Sequence, residues 1–151
     1  MRRAMKVVCI CIVVLLLITP AFLSGILGVF SATHARLVYS IDPEQFEIAA
    51  ERVLGQGSPE GIKAPNGVKD MDLYDTHSGC VDFYMGGFGL VPSSTYWGVS
   101  YSADGEPVGF QGLDVDYTWD GEGWYWQEPD SDNFSYVTQL DDHWYLYEMS
   151  F

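Results

Sequence analysis

Basic residues are scarce. The chain carries 7 Lys and Arg against 21 Asp and Glu, a formal net charge of -14. A nucleic-acid surface needs clustered cations, so that class of partner is set aside. A domain lying flat on anionic lipid is set aside for the same reason. Cysteine is equally sparse: Cys9 and Cys11 fall in a first apolar run, and only Cys80 follows it. No disulfide can close within the remainder of one chain, so stability there must come from packing. The zinc spacings CxxC and HExxH are absent and no cofactor is expected.

Charge of either sign is missing altogether from Val7 to Phe30, VVCICIVVLLLITPAFLSGILGVF. As a helix rising about 1.5 Å per residue, this run would reach roughly 36 Å, enough to cross a hydrocarbon core of about 30 Å. Arg2, Arg3 and Lys6 precede it, and all the acidic residues follow it. Positive charge stays on the cytoplasmic side. The expectation is a cell-membrane protein with a single transmembrane helix, its amino end cytoplasmic and its carboxyl-terminal domain extracytoplasmic. A secretory signal has an apolar core of only about 7–15 residues, which favours a retained anchor. Small residues over 31–35 supply the alternative: cleavage near Ala35 and a secreted domain. The organisation expected is a basic tip and anchor over 1–31, a neck over 32–41, and one outer domain over 42–151.

That outer domain is expected to be α+β. Asp42-Pro43-Glu44 opens a helix, with a capping carboxylate, a proline at the first turn and an acid at the positive dipole end. Phe46, Ala49, Ala50, Val53 and Leu54 recur at helical spacing, so the amphipathic helix runs over Pro43–Leu54 and packs on a sheet. Residues 55–67 are rich in Gly and Pro and read as loop. Short strands are expected at 68–75, 80–85, 96–102, 115–119, 124–128, 136–140 and 144–149, an aromatic-rich meander of about five to seven strands. Gly86-Gly87 and Ala103-Asp104-Gly105 read as turns between them. Short connections make sequential neighbours antiparallel partners.

The sharpest structural expectation is a hairpin. If Asp120-Gly121-Glu122-Gly123 is its loop, Trp119 opposes Trp124 and Tyr117 opposes Trp126. Opposed residues share a face, so these four rings land together, while Tyr125 and Thr118 take the other side. As core they replace scarce aliphatic side chains. As a platform they would stack on a sugar or anchor a protein. Tyr117, Trp119, Trp124 and Trp126 are therefore the candidate binding surface. In the last strand, Tyr145, Tyr147, Met149 and Phe151 share one face and Trp144, Leu146 and Glu148 the other. The carboxyl end is thus expected to dock in the sheet.

Catalytic signals are thin. His77 and Cys80 lie close together, but no cation or helix end stands nearby in sequence to hold a thiolate. The bland reading, a half-buried Cys beside a surface His, is preferred. Asp114 to Glu122 has part of the spacing of a calcium loop, yet Trp119 sits where the loop's glycine belongs. Acidic pairs at 70/72, 114/116, 130/132 and 141/142 read first as solvated faces and turns. The function expected is a non-catalytic binding module at the cell envelope, taking a protein or glycan partner. The alternative is an envelope hydrolase or transferase using surface carboxylates.

Overall fold

The structure, a computed structural model, describes residues 31–90 and 93–151. The membrane-spanning helix expected over Val7–Phe30 lies outside the described residues. Among those described, no helix is long and apolar enough to cross a membrane.

Residues 31–41 form helix α1, and Pro43–Gln56 form α2 after a break at Asp42. The stretch expected as a neck thus belongs to the packed fold: Ala35 and Tyr39 of α1 are buried in the same core as Phe46, Ala49, Ala50 and Val53 of α2. The start of α2 is as its residues dictate. Asp42 Oδ1 accepts from Gln45 N (3.3 Å) and Oδ2 from Gln45 Nε2 (2.5 Å), with Pro43 in the first turn. Gly57, in the left-handed region (φ 72°), closes the helix by donating to Val53 O (2.8 Å). Loss of an N-cap carboxylate costs about 1 kcal/mol. Asp42→Ala should therefore lower the unfolding free energy measured by urea denaturation by that amount, and an unchanged midpoint would mean that the cap adds nothing.

The helices lie on a seven-stranded, wholly antiparallel sheet. Its strands are β1 (Asp70–Tyr74), β2 (Cys80–Leu90), β3 (Ser93–Ser102), β4 (Thr118–Trp119), β5 (Trp124–Gln127), β6 (Phe134–Asp141) and β7 (Trp144–Ser150). The spatial order is β1-β2-β3-β7-β6-β5-β4. This corrects the simple meander: β3 pairs with β7, and β4 lies at the far edge. The cause is burial. Trp144 to Tyr147 are all buried, so β7 is apolar on both faces and belongs in the middle of the sheet. Residues 103–117 then cross over one face to reach the edge.

A second correction concerns Gly86-Gly87, which is not a turn. Strand β2 runs straight through it, with a register shift between Tyr84 and Gly86. A Cβ at Gly86 would stand 2.7 Å from the Trp97 ring, and one at Gly87 would stand 2.9 Å from the Tyr96 ring. These glycines clear space for rings on the paired strand.

Each face of the sheet carries its own core. Under the helices lie Met71, Val81, Phe83, Met85, Val99, Trp144 and Leu146. On the other face, Val137, Tyr145 and Tyr147 pack with Phe110, Tyr117 and Trp124. Here the 103–117 segment is the cover. Val108 is fully buried, and its carbonyl accepts from Ser100 Oγ (2.8 Å). The alternation expected for the last strand holds, since Tyr145, Tyr147 and Met149 face away from the helices while Trp144 and Leu146 face them.

Candidate functional site

The hairpin register is the one expected. Trp119 pairs with Trp124 and Thr118 with Tyr125 across the 120–123 loop. Asp120 builds that loop: its Oδ1 accepts from Glu122 N and Gly123 N (2.9 Å each), and its own N donates to Gly123 O (3.0 Å). Gly121 takes the positive φ (108°) that the turn requires. The ladder stops at Thr118, so Tyr117 and Trp126 are not paired. Instead Tyr117 Oη shares a hydrogen bond with Ser135 Oγ (2.9 Å), and Ser135 is the residue opposite Trp126.

The four rings have different surroundings. Trp124 is half-buried and meets Tyr145 edge-on (5.8 Å, 77°). Tyr117 packs with the same core, and burial pushes its phenol up to about 12 despite the Ser135 hydrogen bond. Trp126 is half-buried. Trp119 alone is mostly open, 54% exposed, and leans edge-on against Trp124 (4.6 Å, 62°).

The other side of the hairpin forms a groove. Tyr125, Phe134, Tyr136 and Thr138 of β5 and β6 face α1 across a cleft of about 380 Å³. Tyr125 and Phe134 stack (6.4 Å, 29°), and Tyr136 Oη donates to Asp120 Oδ1 (3.4 Å), tying the groove floor to the hairpin loop. Arg36 of α1 and Glu148 of β7 also line it, with opposite charges. Glu148 Oε2 accepts from Ser31 Oγ (3.1 Å). Sequence reading left Phe134 and Tyr136 out. Extending the period-two pattern from Tyr125 across β5 into β6 would have found them, because Tyr125 lies directly opposite Tyr136.

The remaining sequence candidates are dispersed. Cys80 is fully buried, and burial, with Asp82 and Asp104 beside it, holds the thiol far above its ordinary range. It sits in the interior as a small apolar side chain. His77 Nδ1 lies 3.5 Å from Asp104 Oδ2. Burial raises the Asp104 carboxyl, but the Glu106 N–H, the Ser102 hydroxyl and His77 outweigh it and leave the group below its usual value. Among the described residues, no three of His, Cys, Asp and Glu gather as metal ligands.

No protein-family model, curated protein or solved structure matches this chain.

Proposed function

We propose that the chain is a single-pass envelope protein, amino end inside, whose acidic α+β domain is a non-catalytic binding module for an extracytoplasmic partner. The uncharged run at Val7–Phe30 and the cations before it support the placement. The observation that carries the binding reading is the open groove between α1 and β6, with three rings along its floor and Arg36 and Glu148 also in its lining. Rings take the apolar face of a sugar, while Arg, Glu and Thr side chains take its hydroxyls. A glycan therefore fits this groove better than a flat protein surface. Trp119, also exposed, lies on the opposite face of the hairpin and is no part of this groove.

The test is titration of a panel of oligosaccharides onto full-length protein in sugar-free polyoxyethylene-ether micelles. Tyr136→Ala should weaken glycan binding by roughly tenfold or more, the scale of one lost aromatic anchor. Trp119→Ala, on the opposite face, should leave glycan binding unchanged and shift stability by no more than about 0.5 kcal/mol, as expected of an exposed side chain. Wild-type protein that retains no glycan, or a Tyr136→Ala variant that binds like wild type, would remove the reading.

A further inference from the structure

The helix-side wall of the groove is Ala32, Thr33 and Arg36 of α1, and the uncharged run Val7–Phe30 stops two residues before Ala32. Two residues of fully extended chain span at most about 7 Å, so Ala32 stands no farther than that from Phe30. The helix then rises about 1.5 Å per residue, which keeps the backbone of Arg36 within about 13 Å of Phe30 whatever path the chain takes. The headgroup layer on each side of a bilayer is about 5–8 Å deep. With the uncharged run as anchor, the groove opens where lipid headgroups lie.

Helix α1 is also the part of the fold suited to that depth. It carries Arg36 and no carboxylate, because all the acidic residues lie at or beyond Asp42. The acidic body of the domain is repelled by anionic lipid, and this one helix is not. Arg36 is exposed, and among the described residues the one ion pair is elsewhere, between His77 and Asp104. Leu37, next to it, is an apolar side chain left 56% exposed. The two walls of the groove are tied together at this end, since Ser31 Oγ donates to Glu148 Oε2 (3.1 Å). The first residue of α1 is thereby held against β7.

We propose that the groove takes the sugar headgroup of a glycolipid from the same membrane that holds the anchor. The inference rests on the single-pass placement and the glycan reading above, and it narrows the ligand from glycans in general to lipid-borne ones. The apolar face of the sugar lies along Tyr125, Phe134 and Tyr136, and its hydroxyls meet Thr138 and Glu148. Arg36 stays towards the bilayer, where glycerol and phosphate oxygens accept from its guanidinium. The acyl chains leave past Ala32, the smallest side chain of the lining. Anchoring protein and ligand in one membrane raises the effective concentration of the sugar at the groove, so contacts with a single ring suffice. A free oligosaccharide has no such advantage.

The experiment places full-length protein in phosphatidylcholine nanodiscs with a trace of monoglucosyl diacylglycerol that carries a diazirine on its sugar. After illumination, mass spectrometry locates the label. It is expected on groove residues of α1, β5 and β6. A phosphatidylcholine with the diazirine on its choline is the control, and it is expected to label them several-fold less. Tyr136→Ala should cut the groove label roughly tenfold. A second variant leaves every groove residue in place and inserts a flexible Gly/Ser linker of about ten residues between Phe30 and Ser31. Effective concentration falls as about the −3/2 power of tether length, so the label should drop roughly tenfold. Affinity for a free oligosaccharide in polyoxyethylene-ether micelles should stay as in wild type. Groove labelling equal to that from the choline lipid, or unchanged by the linker, overturns the inference. So does a groove that binds free oligosaccharides and takes no label from the glucosyl lipid, and the glycan reading then survives alone. Failure to bind either kind of sugar removes both.

Discussion

Replacing Phe46 by Ala should destabilise the domain by about 3–5 kcal/mol, the cost of emptying an aromatic site in a packed core. Phe46 is 1% exposed and touches three other rings: Tyr39 of α1 (5.4 Å), Phe83 of β2 (5.4 Å) and Trp144 of β7 (6.1 Å). It is the side chain through which both helices and two central strands meet. Its neighbours cannot refill the space easily, because aromatic rings are stiff and the contacts are edge-on or tilted, not sliding. Urea denaturation of the full-length protein, followed by the tryptophan signal, measures the loss. Ile48→Ala on the same helix is the control. Ile48 is 40% exposed, and its replacement should move stability by no more than about 0.5 kcal/mol. A Phe46→Ala loss no larger than that of Ile48→Ala would show that the helices are not held by this cluster.

Much of this arrangement was legible in the residues themselves. Asp42-Pro43-Glu44, the apolar spacing of Phe46 to Val53 and the glycine at 57 define α2 by local chemistry alone. The DGEG hairpin was equally plain, since loop length and period-two alternation together fix which rings oppose. What escaped was non-local. Trp144 to Tyr147 is an unbroken aromatic and aliphatic run, the mark of a strand covered on both faces, and its consequence is insertion beside β3 instead of continuation at an edge. Alternation assigns faces and says nothing about strand order. Gly86-Gly87 misled for a related reason: the need for glycine arises from rings on a neighbouring strand, a tertiary fact. The groove escaped on the same ground. Its lining comes from α1, β5, β6 and β7, and no spacing along the chain brings them together. The α1 contribution was hidden because Ala35 and Tyr39 sit among other apolar residues, with Leu37 and Ile41 exposed, so no single face stands out, and their partners lie far along the chain.

Asp82 should make the protein less stable as the pH rises from about 4 to about 7, opposite to the usual effect of a surface carboxylate. The side chain is 1% exposed on β2. Its Oδ2 accepts from Gln111 N (3.0 Å), while Oδ1 and the buried Tyr147 hydroxyl beside the carboxyl make no hydrogen bond of good geometry. Burial is the dominant influence and pushes the carboxyl up. The Gln111 N–H and the neighbouring Tyr147 phenol pull it part of the way back, Asp72 and Asp70 push again, and the result is about 7 against 3.8 in the unfolded chain. Between those two values the folded state holds a proton that the unfolded state has released, so stability falls across that window and is flat above it. At about 1.4 kcal/mol per unit, the loss is on the order of 4 kcal/mol. Gln111 gives the effect a structural target, because this backbone donor sits in the left-handed region (φ 59°) within the segment that covers the second core. Asp82→Asn keeps the shape and removes the titration. Urea midpoints at pH 4.5 and pH 8 should be similar for the two proteins at the lower pH, with the variant more stable at the higher. Contributions from the many exposed acids cancel in that difference. Parallel wild-type and variant profiles would mean that Asp82 is already ionised in the fold at pH 4.5, and that the carboxylate is held by more than the single Gln111 N–H.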